Sequence, residues 1–399
     1  MRLVLSIFAF SLAVAAAEPD AVAIAANIRA RHMPYGAILD PIFIAPDSEE
    51  QLTYTRCGDS ALWTGHFLAG ESFRYKVTRS PEALDNIMRA LHGIRTLIDV
   101  TGTDLLARCA FPENSPWAAD LMSEERAHGA RTGIVDGDKW IWIGDTSRDQ
   151  YLGVFFGMNV AWDLVDDPRV REAVRWLTVR LLRKVQGDAW LVRDPGGIST
   201  TFLGRADQRL MMLKLGRRLD PDHFTNSYRI QANLVSVESI VSVGIDAVDQ
   251  HSSYFKFNLD HLTYYGLMTS GDNSFVKHNY EVAWRLLRRA TDDHGNAFFN
   301  LVTRAIDGPD ERRDAGTRRL LDEWLARPRR DFWVDSRGLY AACGDNRACL
   351  PLPLEARVNS DFVWQRSPYQ LSGGGSGRVE NPGIDYTLPY WMARFYGVI

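Results

Sequence analysis

The chain has 399 residues, 46% hydrophobic and 24% charged, with four cysteines and a formal charge of −4 at pH 7. So small a net charge excludes a protein that meets nucleic acid or an anionic membrane over its whole surface. The length exceeds that of an ordinary domain, yet no Gly/Ser-rich or Pro-rich linker divides it, and residues 18–399 read as a single domain.

Residues 1–17, MRLVLSIFAFSLAVAAA, have a basic start, an apolar stretch from Leu3 to Ala15 and small residues before Glu18. This is the pattern of a secretory signal cleaved after Ala17. The run is short for a membrane span and no later one resembles it. The mature chain is expected to be exported, periplasmic or secreted, with no span after cleavage.

Beyond the signal, helical segments of two chemical characters alternate. DSALWTGHFLAGESFRY (Asp59 to Tyr75) is apolar almost all round and must be buried on every side. SPEALDNIMRALHGIRTLIDV (Ser80 to Val100) follows, with Leu84, Ile87, Met88, Leu91, Ile94 and Ile98 at helical spacing. Asp149 to Val165 is apolar again, and Asp167 to Val185 is amphipathic and arginine-rich. Further pairs are Ser199–Leu215 with Asn226–Asp246, Tyr254–Thr269 with Asn273–Thr291, and Ala297–Ile306 with Asp310–Ala326. The last segment, PGIDYTLPYWMARFYGVI, is apolar and aromatic; its partner is Ala21 to His32. Six hairpins and an all-α fold are expected.

Cysteines in an exported chain suggest disulfides. Cys343 and Cys349 flank a short loop that is easily bridged, and Cys57 then pairs with Cys109 by exclusion. No Cys-x-x-Cys and no clustered histidine accompanies them, so no metal site and no cofactor are expected.

Set in this alternation, segments such as DSALWTGHFLAGESFRY and WIWIGDTSRDQ resemble an (α/α)6 toroid of six helical hairpins with inner and outer rings. That superfamily is familiar from glycoside hydrolases, polysaccharide lyases and sugar epimerases, and the resemblance covers most of residues 50–399. It implies an exported carbohydrate-active enzyme with a poly- or oligosaccharide substrate and a pocket at one end of the inner ring. The sequence leaves the oligomeric state open.

If the inner helices run in one direction, the polar residues at their starts converge. These are Asp59; Asp145, Ser147, Asp149 and Gln150; Thr200 and Thr201; His251, Ser252 and Ser253; Asn296; and Asp385 with Tyr386. Helix capping is the rival explanation for the Asp, Ser, Thr and Asn members. Trp140 and Trp142 in WIWIGDTSRDQ either stack on sugar faces or belong to the core. Tyr254, Asn258 and His261 share a face of one inner helix, as candidates for lyase chemistry or as a buried polar seam. Asp361, Trp364, Gln365 and Arg366 lie in a segment that does not read as helix. There Arg366 either forks onto a uronate carboxylate or pairs with Asp361.

Hydrolysis by a carboxylate acid and base drawn from Asp59, Asp145, Asp149 and Asp361 is the leading expectation. The alternatives are β-elimination with His251 or Tyr254 as base, and a glycan-binding or envelope protein without catalysis. His66 reads as a hydrogen-bonded core histidine. Arg108 either reaches the pocket or neutralises a neighbouring carboxylate.

Overall fold

Helices dominate the structure and keep the two characters read from the sequence. The computed structural model describes residues 18–248, 254–271, 275–340 and 347–399. The expected signal segment, His251 and Cys343 fall outside these. A first helix, α1 (18–27), ends in a π turn at Ile28–His32. Helices of the apolar type are α2 (Ser60–Thr78), α5 (Arg148–Leu164), α7 (Ala206–Leu219), α10 (Lys256–Thr269), α12 (Ala297–Asp307) and α14 (Ile384–Phe395). Those of the amphipathic type are α3 (Pro81–Asp99), α6 (Pro168–Gly187), α8 (Pro221–Val235), α9 (Glu238–Val248), α11 (Phe275–Thr291) and α13 (Glu311–Leu325). A short α4 (Ala118–Glu124) lies in the long connection between α3 and α5.

The contrast in burial is the one their composition demands. Every residue of α2 from Ser60 to Arg74 is buried, whereas α6 buries only a stripe from Val170 through Val174, Leu177 and Leu181 to Val185. Each apolar helix packs on the next in chain order, α2 on α5, α5 on α7, α7 on α10, α10 on α12 and α12 on α14, and α14 packs back on α2. The amphipathic α3, α6, α8, α11 and α13 each lie against the apolar helix that precedes them. One hydrophobic core cluster takes in residues from Ala21 to Val398. Among the described residues no helix is long and apolar enough to cross a membrane.

Among the described residues, three small sheets correct the all-α expectation. Their strand orders are β2-β1-β9-β8, β3-β5-β4 and β6-β7, with β1 Asp40–Phe43, β2 Gln51–Thr55, β3 Cys109–Pro112, β4 Ala130–Val135, β5 Asp138–Ile143, β6 Leu191–Asp194, β7 Gly197–Thr201, β8 Arg330–Asp335 and β9 Ser372–Glu380. Strands therefore lie in the connections that lead into α2, α5, α7 and α14. Two expected helices also change their bounds. Ser199 to Thr201 belong to β7, and Asn226–Asp246 divides around Ser236 and Val237 into α8 and α9.

Cys57 and Cys109 form the expected disulfide, joining residues 52 apart and fastening the lead-in of α2 to β3. Cys349 is disulfide-bonded as well. The Cys57–Cys109 loop is long enough that its closure restricts the unfolded chain considerably. Cys57→Ala/Cys109→Ala is expected to lose about 2–4 kcal/mol. Urea unfolding of the double variant beside the wild type, both without reductant, checks this: a lower midpoint in the variant is expected, and equal midpoints would remove the effect.

Candidate functional site

The Cys57–Cys109 bond fixes the turn from which Asp59 emerges, and Asp59 is the natural starting point for a site. Asp59 and Ser147 occupy the N-cap positions of α2 and α5, yet neither side chain makes a capping hydrogen bond. Capping thus fails to explain them. It does explain Asn296, whose side chain accepts from the Phe298 and Phe299 amides, and likewise Ser80, Asp167 and Asp310 at the amphipathic helices.

Gln150, buried in the first turn of α5, joins the two helices. Its Nε2 donates to Asp59 Oδ1 at 3.2 Å, and its Oε1 accepts from the Leu62 amide at 3.0 Å. Arg108 fastens the same two turns from the other side, donating to the carbonyl oxygens of Gly58 (3.0 Å) and Asp145 (2.7 Å). Arg108 therefore supports the site as well as standing near its charge.

Asp59 and Asp149 are both half-buried, and the side chain of Asp361 is 15% exposed. Burial, followed by the charges of Asp149 and Asp361, pushes the Asp59 carboxyl up to about 6, against the pull of Arg108 and Gln150. Asp361 is itself held between two arginines. Arg366 Nε donates to its Oδ2 at 2.5 Å, and Arg56 Nη2 stands 3.8 Å from its Oδ1. Arg56 also donates to Asp40 at 2.8 Å. Of the two expected roles for Arg366, the ion pair with Asp361 is the one formed.

Beneath these carboxylates lies a layer of rings. Trp63, one turn into α2 from Asp59, has Phe362 at 4.2 Å and stacks with Trp364 at 6.1 Å between centroids. Trp364 is fully buried and also meets His66 and Phe298. The aromatic pair anchors the otherwise irregular 361–366 segment and so places Asp361. Gln365 Oε1 accepts from the Phe362 amide, and the buried Asp385 at the start of α14 accepts from the Val363 amide at 2.9 Å. Burial raises the Asp385 carboxyl. Tyr386 is buried against Trp324, with centroids 4.9 Å apart.

The α10 residues are placed elsewhere. Tyr254, Asn258 and His261 are all buried. Asn258 Nδ2 donates to His66 Nε2 at 3.2 Å, while His66 Nδ1 donates to the Leu62 carbonyl. Burial brings His66 down to about 4 and His261 down to about 3, so both imidazoles are neutral at physiological pH. His261 lies flat on Phe299 with centroids 3.8 Å apart, and Tyr254 OH contacts His294. Trp140 and Trp142 sit on β5. Trp140 packs edge-on to Tyr35, and Trp142 is buried under the Arg131 guanidinium. Asp145 is exposed, in a left-handed turn (φ 51°), with its amide donating to Asp194 at 2.8 Å.

Sequence reasoning missed a second charged group. Arg205 donates to Asp207 (2.8 Å), Asp246 (2.9 Å) and Asp260 (2.5 Å), and both Asp207 and Asp260 are fully buried. Burial raises the Asp260 carboxyl even beside this guanidinium. Arg148, next to Asp149, feels both groups: burial and the Arg205 charge lower its pKa, while Asp207 and Asp149 oppose them. An aspartate inside the apolar run FNLDHL was the available signal. Compared with protein-family models, curated proteins and solved structures, the chain matches none.

Proposed function

We propose that this protein is an exported carbohydrate-active enzyme that hydrolyses glycosidic bonds of a poly- or oligosaccharide, on an (α/α)6 toroid of six helical hairpins. The packing of α2, α5, α7, α10, α12 and α14 in succession, returning to α2, supports the inner ring. The amphipathic partners support the outer ring. The signal-like N-terminus and the Cys57–Cys109 bond support export.

The observation that carries the reading is Asp59 at the start of α2, within electrostatic reach of Asp149 at the start of α5 and of Asp361 in the irregular 361–366 segment, with Asp59 raised to about 6 and no capping role to account for it. A carboxylic acid of that pKa holds its proton into the mildly acidic range, as an acid catalyst requires. Asp59 gives this proton to the glycosidic oxygen as the C–O bond breaks. Asp149 takes a proton from the water whose oxygen joins the anomeric carbon. Burial, then the Asp149 charge and to a smaller extent Asp361, which Arg56 and Arg366 fix in place, keep Asp59 protonated. The lyase alternative draws less support, because Tyr254, Asn258 and His261 are buried and engaged inside the core.

The test is a reducing-end assay and an ultraviolet assay of the purified mature chain on a panel of neutral and acidic polysaccharides. New reducing ends without the absorbance of an unsaturated uronate are expected. That absorbance would replace hydrolysis with elimination, and silence in both assays would leave a glycan binder.

A further inference from the structure

Apart from the Asp59, Asp149 and Asp361 carboxylates, none of which lines it, the outer face of α6 lines an open groove of about 1330 Å³. This is more room than a small ligand needs and is open enough for a chain to lie along it. Its contributing α6 residues run from 169 to 184, about 22 Å of helix. Seven cationic side chains line it against three acidic ones, on a protein whose total charge is −4. Most of that charge is balanced by carboxylates in and beside the groove, which among the described residues leaves Arg171 and Arg175 as its unpaired cations.

Five of these cations are already neutralised, Arg95 by Asp99 and Asp136, Arg169 by Asp167 and Lys184 by Asp188 among them. Arg180 binds Asp99 and Asp104, both at 2.7 Å, and Arg183 binds Asp220 at 3.0 Å. Arg171 and Arg175, one helical turn apart and both exposed, are different: among the described residues neither forms an ion pair with a carboxylate. Arg171 is held in place all the same, with its Nε donating to the Val165 carbonyl and its guanidinium 5.0 Å from the Trp162 ring. Trp176, between this pair and Arg180, is 46% exposed and carries the Arg180 guanidinium 4.2 Å from its centroid.

We propose that this groove is an anionic-glycan site, in which Arg171 and Arg175 fork onto the carboxylates or sulfates of successive sugars and Trp176 packs against a pyranose face. Guanidinium suits planar oxyanions, and its stacking on tryptophan reduces the freedom lost on binding. A lipid surface fits less well, since only Ala173 and Val179 add aliphatic area beside the tryptophans. The choice of a glycan over another polyanion rests on the function proposed above; the preference for negative charge rests on the groove alone. The inference adds an acidic polymer as the substrate class and a holding site that does not include Asp59.

The experiment is affinity electrophoresis of the full mature protein through gels containing polygalacturonate, dextran sulfate or neutral dextran. Arg171→Gln/Arg175→Gln and Trp176→Ala are run beside the wild type, with thermal melts to confirm that each variant folds. The wild type should be retarded by the two anionic polymers and not by dextran. Retardation should weaken with salt, fall at least tenfold in apparent affinity in the double variant and fall several-fold in Trp176→Ala. If that pattern holds while no polysaccharide is hydrolysed, the catalytic reading fails and the groove stands. The proposal is overturned if neither anionic polymer retards the wild type or if dextran retards it equally. It is also overturned if the double variant migrates like the wild type, or if single-stranded DNA or anionic vesicles bind more tightly than both glycans.

Discussion

Asp59→Asn is expected to stop hydrolysis and, at neutral pH, to make the protein more stable. Both effects come from the same surroundings. With Asp59 as the acid, its loss removes protonation of the leaving oxygen and lowers kcat by about 10²–10⁴-fold. Activity of the wild type should decline as pH rises through about 6, where Asp59 gives up its proton. The stability effect has the opposite sign. In the unfolded chain an aspartate titrates near 3.9, whereas burial and the neighbouring carboxylates hold Asp59 near 6 in the fold. Between these values the folded state binds more protons than the unfolded one, so stability falls as pH rises. An asparagine escapes that loss while still accepting from Gln150. Asp59→Asn should therefore exceed the wild type by about 1–3 kcal/mol at pH 7 and match it below pH 4. Urea denaturation of both proteins at pH 3.5 and pH 7.5 reads the difference. Parallel curves at both values would remove the raised carboxyl, and with it the case for Asp59 as acid.

The elements that were legible in the sequence are those whose burial is uniform along their length. The apolar DSALWTGHFLAGESFRY can only be α2, and the one-sided arginine-rich 167–185 can only be a surface helix, α6. Where local pattern and packing disagree, the reading failed. Apolar spacing runs unbroken through Ser236 and Val237, with no Gly or Pro to mark a stop, yet the chain turns there and α9 packs on α7 and α11 instead of continuing α8. SGGGSGRVE has loop composition but forms β9. Its glycines are required by close contact: a Cβ on Gly375 would fall 1.7 Å from Asp331 Oδ2 of the adjacent β8, and one on Gly374 2.3 Å from the Phe332 carbonyl. Asp59 and Asp149 were identifiable together because helix starts gather polar residues, whereas Asp361 was a candidate only as part of an irregular polar segment. The same argument misplaced nothing at Asn296 except its purpose, which is capping. The Arg205 cluster escaped because its partners Asp207, Asp246 and Asp260 come from three helices and no spacing links them.

Gly65→Ala should prevent the protein from folding. Helices α2 and α5 cross at Gly65, Gly153 and Gly157, where backbone meets backbone. A Cβ on Gly65 would stand 2.0 Å from the Gly153 carbonyl oxygen and 2.7 Å from the Val154 nitrogen. Neither contact is with the end of a flexible side chain, so no rotamer change relieves it. The helices must separate, and both are buried along nearly their whole length, so separation opens voids on every other contact they make. A loss of more than about 4 kcal/mol is expected, enough to exhaust the stability of many domains. Gly187→Ala, at the end of α6, supplies the control: nothing lies within 4 Å of its Cβ position. There the better helix former should be neutral or stabilise by up to about 1 kcal/mol. Soluble yield and thermal midpoint of the two variants check the contrast. The same close crossing sets where the catalytic proposal is most exposed, because Asp59 and Asp149 lie one to two turns before Gly65 and Gly153 or Gly157 on these helices. Any substitution that spreads α2 from α5 also lets water reach Asp59 and draws Asp149 away from it, and a folded variant of that kind would lose the raised pKa along with the acid's activity.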